Sequence, residues 1–268
     1  MGLLDQAETM NQPLFDELGD VYEAMIDWPK RLANEAPFFR KLFERSNVAK
    51  VADVACGTGR HADMFHSWGL QVHGFDISPG MIQRAKETFG QSDRLHWTVH
   101  DFEQPLGAPG IFDAVICVGN SLALAGDMAA AAQALRQMIS ALRPGGLVIL
   151  QVLNLWKLPS GPCVWQKMLT RSLPQGKSLI IKGVHRCADQ GFVDLVVIDR
   201  SSDGPPILSH SVPFLGLRSQ ELEAIARGGG AVNMSFFGNH QDEPYDPLNS
   251  TDLIMVAEKG ESDSRALR

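Results

Sequence analysis

The chain has 268 residues, 44% of them hydrophobic and 21% charged. At roughly 100–200 residues per domain, this suits one large domain, or one domain with a subdomain, whose core needs no disulfide scaffold. A formal net charge of −7 argues against a broad electrostatic grip on phosphate backbones. The four cysteines stand at 56, 117, 163 and 187. None form CxxC, so a zinc ribbon or thioredoxin motif is absent, and reduced thiols in a cytoplasmic setting are expected. Met1 to Pro13 carries no apolar run, so no signal peptide is expected. No window approaches about 18 consecutive apolar residues, so no membrane-spanning helix is expected.

Residues 14–45 read as helical. Leu14, Leu18, Tyr22 and Met25 recur at three- and four-residue steps, and Leu32, Ala36, Phe39 and Phe43 follow Pro29 in the same way. Pro29 fits a first helical turn. Lys50 to Ala55 reads as a strand, Cys56 to Gly59 as a glycine turn, and Arg60 to Trp68 as a helix. Leu70 to Phe75 is a second strand, followed by Asp76. Ser78 caps a helix from Pro79 to about Phe89. Leu95 to Val99 and Phe112 to Val118 are further strands. Asp127 to Leu142 is an alanine-rich helix closed by Arg143-Pro-Gly-Gly146, and Leu147 to Leu153 is the fifth strand. This alternation predicts a parallel sheet with helices on both faces.

After Asn154 the regime changes. Ser178 to Val184, Gly191 to Asp199 and Ile207 to Leu217 read as strands separated by Asp189-Gln-Gly191 and Asp203-Gly-Pro-Pro206, an antiparallel insertion too long for a plain loop. Arg218 to Ala226 is helical. Ala231 to Phe237 and Thr251 to Ala257 close the fold as a hairpin. The expected organisation is a helical lid at 1–45, a Rossmann-like core at 46–154, an antiparallel β insertion at 155–217, a helix and hairpin completing the core at 218–259, and a loose tail at 260–268.

Three positions carry the chemistry. Asp53-Val-Ala-Cys-Gly57-Thr-Gly59 lies between a strand and a helix, where glycines let a ligand approach the backbone and the helix N-terminus offers N–H groups. Gly57-x-Gly59-x-x-Ala62 also fits the loose dinucleotide fingerprint. Asp76, ending the second strand, suits two ribose hydroxyls, or else caps the next helix. Asp101-Phe102 follows strand three and borders the same crevice, where a carboxylate can accept from an adenine amino group.

VADVACGTGRHA (51–62), VHGFDISPGMI (72–82), HDFEQP (100–105), FDAVICVGNSL (112–122) and ALRPGGLVIL (141–150) resemble, in order, the successive motifs of class I S-adenosylmethionine-dependent methyltransferases. YEAMIDWPKRLANEAPFF (22–39) and the segment 236–259 look most like the branch similar to glycine N-methyltransferase. The resemblance spans about residues 14–259. It implies a seven-stranded Rossmann-like α/β sheet with helices on both faces, S-adenosyl-L-methionine as cofactor, and a small-molecule acceptor whose N, O or S atom receives the methyl group by in-line displacement. By the same resemblance Gly57 and Gly59 face the methionine portion, Asp53 its amino group, Asp76 the ribose, and Ile77 and Met81 the adenine. Asp101 and Phe102 also contact the adenine, while Asn120 and Leu122 line the cofactor floor. Ala55 stands where the family pattern often has glycine, a methyl that a strand end tolerates. Tyr22, Trp28 and Arg31 close over the cofactor, with Arg31 suited to a carboxylate. The competing reading is an amphipathic helix with Tyr22 and Trp28 in the core and Arg31 solvated.

The catalytic residue is unknown, with Tyr22, His100, Asn120 and His240 as candidates. Asn154, Trp156 and Tyr245 are candidates for substrate contact by position. The histidines His185 and His210 lie on the insertion, and Lys167, Arg171, Lys177, Lys182 and Arg186 make it basic, which suits an anionic substrate or a solvated face. Cys163 and Cys187 raise a soft-ion (arsenite) alternative, but two ordinary thiols are the simpler reading and no bound metal is expected. The remaining alternatives are an RNA methyltransferase, a nicotinamide oxidoreductase using the GxGxxA turn, and a non-catalytic cofactor-binding protein. No nucleic-acid or membrane partner is expected, and the oligomeric state is unknown from sequence.

Overall fold

The computed structural model describes residues 19–174, 176–200 and 208–261. The expected features at Leu14 and Leu18, at Ile207, in the turn at 203–206, in the first dozen residues and in the tail 262–268 lie outside the described residues. Residues 19–25 are helical, and α1 (Trp28–Arg45) follows at once. Pro29 sits in the first turn of α1, and Asp27 caps the helix by accepting from the Lys30 N–H at 3.2 Å.

The core then alternates as the sequence predicts: β1 (Lys50–Val54), α2 (Arg60–Ser67), β2 (Gln71–Asp76), α3 (Pro79–Phe89), β3 (Leu95–Val99), β4 (Phe112–Cys117), α4 (Met128–Ala141) and β5 (Leu142–Leu153). Ser78 and Asp127 supply the side-chain caps of α3 and α4, accepting from Met81 N at 3.1 Å and Ala130 N at 2.8 Å. Each such cap contributes about 1 kcal/mol. β5 begins five residues before the expected strand, because Leu142 already pairs with Phe112 and the Arg143–Gly146 stretch forms an irregularity in the register.

The insertion forms a separate antiparallel sheet in the order β6 (Val164–Leu173), β7 (Gly176–Cys187), β8 (Gln190–Asp199), β9 (Leu208–Leu215). β6 is absent from the sequence reading. It is an edge strand, largely exposed and carrying Lys167 and Arg171, so no apolar alternation marks it. α5 (Ser219–Gly228), β10 (Ala231–Phe237) and β11 (Asp252–Lys259) complete the core.

The large sheet runs β10-β11-β5-β4-β1-β2-β3, with β11 antiparallel to both neighbours and the other pairs parallel. Alternate residues of each central strand go to opposite faces. Val51, Ala114, Ile116, Leu147, Ile149, Ile254 and Val256 pack under α1, α2 and α3. Ala52, Val115, Cys117, Val148, Leu150, Leu253 and Met255 pack against α4 and α5. Chain order reverses between β1 and β4, so a crevice opens beyond their carboxyl ends, the place where doubly wound sheets bind ligands.

β1 enters that crevice through Ala55, whose φ is +55°. This is the left-handed region, not the strand end expected from sequence. A methyl is tolerated there at a cost of about 1–2 kcal/mol. Ala55→Gly is expected to change stability by less than about 1 kcal/mol, because relief of strain is offset by glycine's greater unfolded-state freedom. Ala55→Val, β-branched at positive φ, is expected to cost about 1–3 kcal/mol, read from the urea unfolding midpoint.

Candidate active site

Two carboxylates sit at the ends of adjacent parallel strands. Asp76, on the last residue of β2, accepts from Gly57 N at 2.8 Å and from Ser78 N at 2.9 Å. These bonds tie the glycine turn to the start of α3 and fix the carboxylate at the strand end. Asp53, on β1, is 1% exposed. One of its oxygens meets the Ala62 N–H at the start of α2, while Oδ2 is buried with no hydrogen-bond partner. Burial pushes the Asp53 carboxyl up to about 8; the Ala62 hydrogen bond opposes this, and the charge on nearby Asp76 adds to it.

The glycine turn in front of these groups is open. A Cβ added at Gly57 (φ +55°) would meet nothing within 4 Å. Ile77, next to Asp76, leaves 41% of its surface exposed. Opposite, the turn after β4 holds Gly119 and Asn120, both at positive φ. Asn120 is held by its own Oδ1, which accepts from Leu153 N at 2.8 Å, and Gly119 N donates to Gln151 Oε1 at 2.6 Å.

The N-terminal helices cover this crevice. The Tyr22 hydroxyl and the Arg31 guanidinium converge on the β4 turn, each 3.8 Å from the position of a Cβ on Gly119. Burial raises the Tyr22 pKa despite Arg31 beside it, so the phenol stays protonated at neutral pH. Arg31 Nε donates to Glu35 Oε1 at 2.9 Å, and Glu35 Oε2 lies 2.6 Å from His61 Nε2 on α2. Burial disfavours the Glu35 charge, but the His61 hydrogen bond and the Arg31 charge outweigh it and hold the carboxyl at about 2. Trp28 is 8% exposed, edge-on to Tyr22 and His61, and serves as core. Arg31 is part-buried and paired with Glu35 rather than lying on a fully solvated face, while Trp28 packs in the core.

Glu23 clamps the cover to the glycine turn. It accepts from the Thr58 hydroxyl and pairs with Arg60 at 2.6 Å. The insertion joins the same cover. Val21 packs against Leu173, Ile180, Leu195 and Val197. Lys167 Nζ and Arg171 Nε donate to the Met25 and Ala24 carbonyls at 3.0 and 3.1 Å.

The other expected site residues are each engaged in local contacts. Leu122 is fully buried in the core beside α4, so it does not line the crevice floor. Met81 is also core, at 4% exposure. Asp101 Oδ1 accepts from Glu103 N at 2.9 Å in a tight turn after β3, with Phe102 packed against the core. His100 stands beside Phe75, its Nε2 3.4 Å from Gln104 O. His240 is wedged edge-on against Phe38 with its Nε2 buried and unpartnered, under α1. Asn154 is 2% exposed and makes three internal bonds: its Nδ2 donates to Pro247 O and Ser250 O, and its Oδ1 accepts from Tyr245 Oη. Asn154 and Tyr245 are thus a clamp on the closing hairpin. Trp156 is stacked under Arg218 and donates to Leu217 O. Sequence reasoning missed Glu35 and His61. The available signal was Glu35 four residues after Arg31 on one helix face.

The residues fit an adenosyl cofactor with an amino acid end. The unpartnered oxygen of Asp53 awaits a cation, the space before Gly57 admits a ligand against backbone, and Asp76 and exposed Ile77 stand side by side. Comparison with known proteins agrees. A methyltransferase domain family matches residues 51–146. The chain is 32% identical over 230 residues to a glycine/sarcosine N-methyltransferase of Aphanothece halophytica, covering 83% of each chain. It is 31% identical over 158 residues to a glycine/sarcosine N-methyltransferase of Parasynechococcus marenigrum, covering 58% of this chain but only 56% of that relative's length. The fold superposes on the S-adenosylmethionine-bound amino pentose methyltransferase CalS10 from Micromonospora echinaspora with a TM-score of 0.65, at 21% identity over 87% of this chain and 92% of that one. These matches make the chain a class I methyltransferase, a class whose cofactor is S-adenosylmethionine. Within that class, the chain belongs to the family of glycine N-methyltransferase-like enzymes. This sets aside the nicotinamide reading of the glycine turn. Among the described residues no helix is long and apolar enough to cross a membrane.

Asp53 also sets a pH dependence. Its folded value of about 8 lies above the ordinary 3.8, so between these limits the folded protein holds a proton that the unfolded chain has released. Stability from this group is therefore present below 3.8 and lost as pH rises towards about 8. In urea unfolding without cofactor, the wild-type midpoint is expected to fall relative to that of Asp53→Asn as pH rises through this window. Parallel midpoints would refute the assignment.

Proposed function

We propose that the protein transfers a methyl group from S-adenosylmethionine to the amine nitrogen of a small molecule bearing a carboxylate, of the glycine or sarcosine kind. The observation that carries this reading is the set of cations gathered where the insertion meets the N-terminal cover. Lys167 and Lys182 are register partners on β6 and β7. Burial lowers the Lys182 pKa, and the Lys167 and Arg31 charges lower it further. Burial likewise lowers Lys167, with Arg31 and Arg171 adding. Cations that repel one another in a partly dry site favour an anionic ligand. The relatives' names, glycine/sarcosine N-methyltransferase, agree with an amino acid acceptor.

Bound S-adenosylmethionine supplies a methyl carbon already made electrophilic by its sulfonium. The chain then has to bind, orient and dry the site. In this reading Asp53 takes the cofactor's ammonium and Asp76 its ribose. Ile77 covers the adenine, which Asp101 borders. Gly57 leaves room for the methionine portion, whereas Gly59, expected to share that role, is glycine to clear the Trp97 ring, 2.4 Å from where its Cβ would be. Arg31, Lys167 and Lys182 divide the carboxylates of cofactor and acceptor between them. The Tyr22 phenol and the Asn120 turn flank the path of transfer. No strong base is required, because an amine that enters unprotonated is already a nucleophile.

The test is methyl transfer measured with glycine, sarcosine and glycinamide. The acids are expected to be methylated and the amide to be a poor acceptor. Lys182→Gln is expected to raise the acceptor KM by about 10–100-fold, the worth of a charge-assisted hydrogen bond, with cofactor affinity little changed. Glycinamide turning over as well as glycine would overturn the carboxylate assignment.

A further inference from the structure

The insertion sheet carries a second cluster on the face turned away from the crevice. On β8, Leu195 and Val197 point inward and are 3% and 1% exposed, while Asp194 lies on the opposite face. Cys163, just before β6, His185 on β7 and Asp194 on β8 bring one ligand atom each to within 4.8 Å of the others. They are the one such group of three among the described residues.

We propose that Cys163, His185 and Asp194 form a binding site for a divalent transition ion of the zinc class, with water completing a four-coordinate shell. Tetrahedral zinc with sulfur, nitrogen and oxygen ligands at about 2.0–2.3 Å sets neighbouring ligands about 3.3–3.6 Å apart, so shifts of about 1 Å convert the cluster into a ligand set.

Several features hold the ligands in place. Gly183 lies beside the thiol, and a Cβ there would sit 2.2 Å from Cys163 Sγ, so this position on β7 admits the sulfur only as glycine. Ser211 Oγ donates to Asp194 Oδ1 at 2.8 Å, the kind of outer bond that orients a ligating carboxylate. The His185 ring stacks on Phe192 at 4.8 Å with 10° between planes, fixing the imidazole. His185 Nδ1 lies 2.6 Å from Asp194 Oδ2, so a metal would replace that bond.

A nucleophilic thiol–imidazole pair fits less well. Asp194 stands between the two groups and takes the thiol's hydrogen bond, and with burial this pushes Cys163 up to about 11.

The test uses the full chain, stripped of metal and titrated with Zn²⁺ by calorimetry and with Co²⁺ by absorption. One equivalent is expected to bind, with a thiolate-to-cobalt charge-transfer band and tetrahedral visible bands, and Zn²⁺ is expected to raise the thermal midpoint. Cys163→Ser and His185→Ala are each expected to weaken binding at least about 10–100-fold, the usual cost of losing even an outer partner, and to lose the rise in midpoint that Zn²⁺ gives relative to the same variant without metal. No binding, binding without the thiolate band, or unchanged affinity in both variants would overturn the proposal. These readouts do not involve methyl transfer, so failure here leaves the proposed function intact, and the reverse also holds.

Discussion

A carboxylate buried at the reversal point of a parallel sheet is the constraint around which this molecule is organised. Asp53 lies on β1, where β2 and β4 flank it on either side, and it is 1% exposed. Burying an unpaired carboxylate costs several kcal/mol unless the group stays protonated. The fold accepts that cost with a single backbone hydrogen bond from α2 and a raised pKa. Asp76, one strand over, is held by two backbone N–H groups and cannot neutralise it. In the proposed reading, the ammonium of the cofactor meets these carboxylates on the sheet side of the crevice.

The cover is assembled with the opposite polarity. Arg31, Lys167 and Lys182 bring positive charge from two distant parts of the chain. Glu35 balances Arg31 alone, through a buried chain that continues to His61. Removing one member of such a chain strands a charge in the interior, so Glu35 and His61 matter to Arg31's position although neither meets the β4 turn in the way Arg31 does. The clamp of Glu23 on Thr58 and Arg60, with Val21 on the insertion sheet, makes the N-terminal helix and the insertion one surface. Carboxylates below and cations above suit a zwitterionic ligand held across the gap.

The core was readable from sequence because its signals are local. Apolar alternation marks the central strands, Ser78 and Asp127 mark helix starts through their caps, and Pro29 marks the turn into α1. The order of motifs then placed Asp53, Asp76 and Gly57 at strand ends, where the structure has them. What escaped depends on distant partners. β6 buries little of its surface and exists by pairing with β7. Ala55 read as a strand end, but the chain must already turn there, and only the backbone angle reveals it. Asn154 and Tyr245 looked available by position, yet they use their polar atoms on each other and on the closing hairpin. The ion chain through Glu35 and His61 joins two helices 26 residues apart in sequence, and Cys163 meets Asp194 only after three strands align.

In the proposed reading Asp53, neutral in the free protein, ionises against the ammonium of S-adenosylmethionine. Calorimetric titration with that cofactor at pH about 7, in buffers of different ionisation enthalpy, tests it most directly, since Asp53 with a value of about 8 is then mostly protonated. Binding is expected with net proton release in the wild type and without that release in Asp53→Asn, and NADH is expected not to bind. Equal proton exchange in the two proteins, or binding of NADH in place of S-adenosylmethionine, would contradict the account.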